Sequence, residues 1–150
     1  MRIDLVVAAY IVHDNKVLLI HHKKFDKWIP PGGHIDENEI PDDALKREIK
    51  EELNLEIEIM RQNNLPNEGN IERQLANPFY VNVHNVGDHN HCCFFYLCKP
   101  KSTEIKIKEN EVINYDWFLL EDLKQERVPA DVRNIGNMAL KLYDSLSGNL

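Results

Sequence analysis

A four-residue segment, Pro-Pro-Gly-Gly at positions 30–33, divides the sequence into two parts with different periodicity. Proline fixes φ and lacks an amide donor, and glycine reaches conformations that other residues avoid, so the segment predicts a rigid loop without regular structure. Residues 5–22 before it are dense in Val, Ile and Leu, and Asp14-Asn15 interrupts them with turn chemistry. That pattern predicts two strands joined as a hairpin.

A helical pattern follows the loop. Asp42 or Asp43 can cap the helix, and Asn54 tolerates the left-handed conformation that ends many helices. We therefore predict a helix over about residues 43–53. Its apolar residues recur at three- and four-residue spacing, and they are Ala44, Leu45, Ile49 and Leu53.

The remaining sequence completes an α/β pattern. Residues 61–78 are rich in Asn and lack periodicity, which predicts a long loop at the rim of a binding site. After Pro129 an amphipathic pattern predicts a second helix that packs on a sheet. We expect one α/β domain over residues 1–150, with helices on a mixed sheet. Further strands are predicted at 55–60, 79–86, 92–98 and 112–119.

The charge of the chain narrows the functions open to it. Eighteen Lys and Arg against 25 Asp and Glu leave a formal net charge of -7. This is the wrong sign for neutralising the phosphates of a nucleic-acid duplex. An acidic chain can handle small phosphate compounds when a divalent cation reverses the charge locally. We therefore expect a small-molecule partner and look for a cluster of carboxylates.

The sequence indicates neither membrane insertion nor export. The apolar stretch at residues 5–12 is far shorter than the ~20 residues that a membrane-spanning helix needs, and no small-residue cleavage site follows it. Three cysteines is an odd count, and the adjacent Cys92 and Cys93 point to opposite faces if extended. This favours reduced thiols over a disulfide framework. We expect a cytoplasmic protein without a membrane partner.

Acidic residues form a stripe along the predicted helix, next to its apolar stripe. Glu48, Glu51 and Glu52 lie three and four residues apart, a spacing at which like charges repel. The basic residues are mostly on the far side, so a bound cation would neutralise the stripe economically. Because the ligands are hard oxygens, Mg²⁺ or Mn²⁺ suits them better than Zn²⁺. The alternative is a solvated acidic face. The residues on the far side are Lys46, Arg47 and Lys50.

The helix belongs to a longer motif over residues 33–55 that resembles the signature of the Nudix hydrolases. Five residues separate its first two fixed positions and seven the next two, and it departs from the family pattern only at Asn54, where the pattern has Gly. The resemblance implies an α/β/α sandwich with a mixed sheet flanked by helices. It also implies a metal-dependent pyrophosphohydrolase that uses Mg²⁺ or Mn²⁺. The fixed residues are Gly33, Glu39, Arg47, Glu48, Ile49, Glu51, Glu52 and Leu55.

The same resemblance assigns roles to residues of the motif. Glu48, Glu51 and Glu52 are the implied metal ligands, with the backbone carbonyl of Gly32 or Gly33 as an additional one. Glu51 or Glu48 can act as general base towards the attacking water, and the alternative is that the metal acidifies this water without much help from a base. Arg47 and Glu39 complete the implied catalytic set as supports that hold the ligands in place.

Further residues are candidate substrate contacts. Trp28, Phe25 and Tyr80 can stack on a nucleobase, with a place in the core as the alternative. His34 and His91 can line the pocket, and Glu109 or Glu111 can supply an extra acid before the last strand, where a solvated loop acid is the alternative. His89, His91 and Cys93 would share one face of a strand, which leaves a zinc site as a further alternative. No second pair of residues at ligand spacing accompanies them.

The implied substrate is a nucleoside diphosphate joined to another moiety, cleaved at its diphosphate linkage. Two other functions stay open from the sequence. One is a non-catalytic nucleotide-sensing domain, although such domains usually lose acids from the motif. The other is an enzyme of the same family that acts on a non-nucleotide diphosphate. The resemblance also favours a homodimer.

Overall fold

The computed structural model describes residues 1–61 and 64–147, so Gln62 and Asn63 of the predicted loop lie outside the described residues. The described residues form eight strands, two α-helices and a short 3-10 helix at Asp122–Lys124. The helices are α1 (Pro41–Leu53) and α2 (Ala130–Ser147). The strands are β1 (Ile3–His13), β2 (Lys16–His22), β3 (Lys27–Ile29), β4 (Gly32–His34), β5 (Ile57–Ile59), β6 (Tyr80–Asn85), β7 (Asn90–Pro100) and β8 (Val112–Phe118).

Strand β1 lies at the centre of a mixed sheet. It runs parallel to β7 and antiparallel to β2 and β4. β2 continues the sheet through antiparallel pairs with β3 and β8, and β7 continues it through antiparallel pairs with β5 and β6. The mixed sheet predicted from the sequence is confirmed.

The two helices cover opposite faces of the sheet. Alternate residues of β1 enter two cores, so its sequence is a continuous apolar run instead of an alternation of apolar and polar residues. Val7, Ala9 and Ile11 pack with the α1 side, whereas Val6, Ala8 and Tyr10 pack with the α2 side. The predicted apolar stripe of α1 is fully buried, which contributes roughly 1.5–3 kcal/mol for each large side chain. The predicted α/β/α sandwich is confirmed.

The first hairpin forms as predicted. Val12 pairs with Val17 and His13 with Lys16, which leaves a two-residue loop. Its residues Asp14 and Asn15 have φ of 54° and 61°. Positive φ at both positions matches the twist of the strands, and Asn and Asp tolerate it better than most residues.

The N-cap predicted for α1 at Asp42 or Asp43 is wrong, whereas Asn54 ends the helix as predicted. The helix begins at Pro41, with Ile40 at the N-cap and no capping side chain, because proline fixes a helical φ at the first position and has no amide to cap. Both acids bind the loop that precedes β6 instead. The carboxylate of Asp42 accepts a hydrogen bond from the amide of Ala76 (2.9 Å), and Asp43 pairs with Arg73 (3.0 Å).

The expectation that residues 30–33 contain no regular structure is also wrong, since Gly32 and Gly33 begin β4. They pair with Ala8 and Val7 of β1. A Cβ on Gly32 would overlap the carbonyl oxygen of Val7, so only glycine allows the two backbones to approach this closely. Gly32 and Gly33 therefore allow β4 to form, although they were expected to interrupt regular structure.

No helix within residues 1–61 and 64–147 is long and apolar enough to cross a membrane. Cys92, Cys93 and Cys98 are free thiols, and the last two are buried.

We predict that Asn54 stabilises the end of α1 through its left-handed conformation, with φ of 50° and ψ of 37°. The substitution Asn54→Ala should lower the free energy of unfolding by about 1 kcal/mol, because a Cβ without a compensating polar group disfavours this conformation. Asn54→Gly is the matched control and should equal or exceed the wild type. Urea denaturation measures both, and equal stability of the Ala and Gly variants would contradict the prediction.

Candidate active site

The three glutamates of α1 lie together but differ in exposure. Because α1 buries its apolar stripe on the sheet, the adjoining Glu52 enters the core edge and is only 2% exposed. The side chain of Glu48 is 17% exposed and that of Glu51 is 46% exposed. The stripe therefore runs from the core to solvent across one turn of the helix.

Strand β4 closes over the buried end of this stripe. The amide of Gly32 donates a hydrogen bond to Oε1 of Glu52 at 2.9 Å. Gly33 lies against the carboxylate of Glu48, which a Cβ at this position would overlap. The two glycines thus allow the backbone of β4 to contact two carboxylates at once.

Arg47 organises the exposed end of the site. It donates to both oxygens of Glu39 (2.8 and 2.9 Å), a bidentate pair, and also to the backbone carbonyl of His34 (3.0 Å). A further bond reaches Oε1 of Glu48 at 2.9 Å, and Glu51 lies 3.4 Å away. The helical wheel placed Arg47 on the far side of α1, but its guanidinium contacts two of the glutamates, because its long side chain folds back from the edge of the helix.

Hydrogen bonds, burial and neighbouring charges shift the pKa values of the glutamates in the site. Hydrogen bonds from Arg47 lower the pKa of Glu39 to about 2. Burial raises the pKa of Glu52 to about 8, although the Gly32 amide opposes this, and the charges of Glu48 and Glu111 add to the rise. Burial also raises the pKa of Glu48, with Arg47 opposing.

These residues fit a divalent cation. The donor set consists of carboxylate oxygens, which suit Mg²⁺ and Mn²⁺. Among the residues that the structure describes, Arg47 pairs with Glu48 and Glu51 but no Lys or Arg pairs with the buried Glu52. A cation beside Glu52 would offset the burial and the like charges that raise its pKa.

Of the two predicted loop acids, the structure brings one to the site. Glu111 is half-buried beside Lys108 (3.2 Å), and its charge raises the pKa of both Glu48 and Glu52. Glu109 is exposed in the preceding turn. Sequence alone could not separate these two residues, because the difference depends on how the turn enters β8.

The candidate aromatic residues are already packed. The ring of Trp28 stacks on His21 with centroids 5.3 Å apart, and the guanidinium of Arg127 lies 4.4 Å from its centroid. Tyr80 packs against the core, and Phe25 lies against the ring of His22. Trp28 therefore packs between His21 and Arg127, two contacts that the sequence did not predict.

His34 and His91 lie together on the sheet face opposite the glutamates. With Asp4 and His89 they form a group whose ligand atoms are all within 4.8 Å of one another, which we call the histidine cluster. Burial and the neighbouring histidines lower the pKa of His91 to about 4, so its imidazole is neutral at pH 7. The sequence predicted His89 and His91 on one face but grouped them with Cys93, because nothing local links them to Asp4 and His34.

Comparison with known proteins agrees with this geometry. A family model described as the NUDIX domain matches residues 3–137. The chain is 28% identical over 134 residues to the 8-oxo-dGTP diphosphatase of Buchnera aphidicola subsp. Schizaphis graminum, covering 87% of this chain and 88% of that one.

Two solved structures are also similar. A NUDIX-family hydrolase from Clostridium perfringens has a TM-score of 0.79 at 31% identity, with 95% of this chain and 99% of that chain covered. A MutT NUDIX hydrolase from Burkholderia pseudomallei has a TM-score of 0.70 at 26% identity, with 94% and 98% covered.

The fold, the glutamate helix and these matches define a hydrolase of phosphorus-containing acid anhydrides. The chain belongs to the Nudix family, as its sequence motif predicted. Asn54 replaces the expected glycine of that motif while keeping its left-handed conformation.

We predict that Glu52 makes the metal-free protein less stable as the pH rises. Folding raises the pKa of this carboxyl from its ordinary value of 4.5 to about 8, so the folded chain holds a proton that the unfolded chain loses. Unfolding releases this proton between those pH values, and the free energy of unfolding falls across that window.

Urea denaturation in EDTA at two values near the upper end of the window, about pH 6.5 and pH 8, measures the effect. Between these two pH values, the free energy of unfolding of the wild type should fall by up to about 2 kcal/mol more than that of Glu52→Gln. The exposed Glu58→Gln is the matched control and should follow the wild type. An equal change in the free energy of unfolding of the wild type and of Glu52→Gln would contradict the raised pKa of Glu52.

Proposed function

We propose that the chain is a divalent-metal-dependent pyrophosphohydrolase that cleaves the diphosphate linkage of a nucleoside diphosphate joined to another moiety. The observation that carries this proposal is the convergence of Glu48, Glu51 and Glu52 beside β4. Glu52 is buried there without a cationic partner among the described residues, although burial and like charges disfavour its ionisation. Such an arrangement suits a site that binds Mg²⁺ or Mn²⁺.

The metal ligands in this proposal are the three glutamates, with the carbonyl of Gly32 or Gly33 as an additional ligand. When bound, the cation screens the carboxylates from the diphosphate oxygens and polarises phosphorus. The amide of Gly32 fixes the orientation of Glu52, and Arg47 fixes that of Glu48. Glu39 holds Arg47 in turn through two charge-assisted hydrogen bonds.

A carboxylate of this chain takes the proton of the attacking water as the water oxygen bonds to phosphorus and the bridging P–O bond breaks. Glu51 is the most exposed of the three glutamates, which gives it access to such a water. Glu48 is the other candidate within the motif, and its pKa is raised towards the range useful for a base. Glu111 is a third candidate base, since its charge acts on both Glu48 and Glu52.

The proposed substrate is a nucleotide derivative. The Buchnera aphidicola relative is named for 8-oxo-dGTP, which makes oxidised purine nucleoside triphosphates the first compounds to test. Trp28 and Glu111 are the proposed substrate contacts. Of the other predicted contacts, Glu109 is exposed in the turn before β8, and His34 and His91 lie on the sheet face opposite the glutamates. We propose that the enzyme acts in the cytoplasm and forms a homodimer.

The substitution Glu52→Gln tests the proposed role of the motif. It removes a charge and keeps the shape, so Mg²⁺-dependent turnover should be abolished while the fold is retained. The assay measures release of phosphate, pyrophosphate or nucleotide from 8-oxo-dGTP, dGTP, a dinucleoside polyphosphate, a sugar nucleotide, ADP-ribose and an isoprenoid diphosphate.

Circular dichroism checks the fold, and Glu58→Gln, an exposed glutamate paired with Lys99, is the matched control. Near wild-type turnover by Glu52→Gln would rule out its role. Absence of turnover by the wild type across the whole panel would favour a nucleotide-sensing domain, and turnover of the isoprenoid compound alone would favour a non-nucleotide substrate.

The substitution Arg47→Lys tests the support of the ligands. A lysine cannot donate to both oxygens of Glu39 and also reach Glu48 and the His34 carbonyl, so kcat/KM should fall about 10- to 100-fold. Arg73→Lys is the matched control, because Arg73 also forms a bidentate pair with an acid of α1, Asp43, but does not contact the glutamates. Equal kcat/KM for the two variants would contradict a specific role for Arg47.

A further inference from the structure

The histidine cluster lies on the α2 side of the sheet, away from the glutamates. In the pairing of β1 with β7, Asp4 is directly opposite His91, and in the pairing of β1 with β4, His34 is opposite Val6. Asp4 and Val6 share one face of β1, because side chains alternate along a strand. Val6 packs in the α2-side core. Gly33, the neighbour of His34 on β4, meets Glu48 on the other face.

The separations within the cluster already match those of a metal site. Oδ2 of Asp4 is 3.0 Å from Nε2 of His34 and 3.4 Å from Nε2 of His89. Ligand atoms about 2.0–2.1 Å from a tetrahedral Zn²⁺ are roughly 3.4 Å apart. Since all four ligand atoms lie within 4.8 Å of one another, binding needs inward shifts only on the order of 1 Å.

Two imidazole nitrogens of the cluster are buried and have no hydrogen-bond partner. Nε2 of His89 and Nε2 of His91 are both in this state. The approach of His89 to Asp4 at 3.4 Å is close enough for an ion pair but is not aligned as a hydrogen bond. Buried polar atoms are normally satisfied, so two unsatisfied nitrogens within one cluster need a partner.

The surroundings prepare these nitrogens for coordination. Nδ1 of His89 lies 2.7 Å from the carboxylate of Asp88, and such a contact fixes the tautomer that leaves Nε2 free to bind a metal. The side chain of His34 is 54% exposed, which leaves one ligand on the solvent side to close over the ion.

We propose that Asp4, His34, His89 and His91 bind one Zn²⁺ in a tetrahedral site, separate from the glutamate site. Three imidazole nitrogens and one carboxylate suit Zn²⁺ better than Mg²⁺, which prefers an all-oxygen shell. Four protein ligands leave no open position, so this ion is structural and joins the start of β1, the end of β4 and the start of β7. The site does not depend on the proposed pyrophosphohydrolase reaction.

The test is a titration of the metal-free protein with Co²⁺ in excess Mg²⁺, because tetrahedral Co²⁺ absorbs strongly in the visible and octahedral Co²⁺ bound by oxygen absorbs weakly. One equivalent should produce the intense spectrum, and one equivalent of Zn²⁺ should remove it. Zn²⁺ should also raise the melting temperature in excess Mg²⁺, because it binds the folded chain.

Substitutions assign the spectrum to its ligands. Asp4→Asn and His89→Gln should each weaken Co²⁺ binding at least about tenfold, and circular dichroism verifies that they fold. If His89→Gln does not fold, the more conservative substitution Asp4→Asn still tests the proposal. His84→Gln is the matched control, since His84 lies opposite His91 on β6 but is outside the cluster, and it should retain the spectrum.

Glu52→Gln separates the two metal sites and should also retain the spectrum. A weak octahedral spectrum of the wild type would overturn the proposal. So would an unchanged affinity in a folded Asp4→Asn variant. Loss of the spectrum in Glu52→Gln with its retention in Asp4→Asn would assign the ion to the glutamates and would equally overturn it.

Discussion

The close approach of β4 to α1 is the contact on which the glutamate site depends. The amide of Gly32 binds the carboxylate of Glu52, and Gly33 leaves room for that of Glu48. Both contacts need backbone where most residues would place a side chain. Among the described residues Glu52 receives one backbone hydrogen bond, from Gly32, and its burial still raises its pKa, which a bound cation would lower. The packing of β4 on α1 therefore also determines the environment in which Glu52 ionises.

The sequence predicted the features that depend on local pattern. The period of the apolar residues located α1 and its buried stripe, and the Asp14-Asn15 turn located the first hairpin. The end of α1 at Asn54 followed from the conformational preference of one residue. The beginning of the same helix did not, because Asp42 and Asp43 are used by the loop that precedes β6 instead of by the helix amides.

The features that the sequence did not reveal depend on distant residues or on the reach of a long side chain. Gly32 and Gly33 were expected to break regular structure, yet their pairing with β1 is what makes β4. The direction of Arg47 could not be read from a helical wheel, which places the Cα but not the guanidinium. The histidine cluster brings together residues from β1, β4 and β7 and from the turn before β7, and only the spacing of His89 and His91 indicated part of it.

The number of residues in β4 is constrained from both faces of the sheet. Its three residues serve both faces of the sheet, with Gly33 towards Glu48 and the ring of His34 towards Asp4. Side chains alternate along a strand, so inserting or deleting a single residue between Ile29 and Ile35 would exchange the two faces. Such a change would direct an imidazole at the carboxylates and remove it from the opposite side. The number of residues in this segment is therefore under the same constraint as their identity.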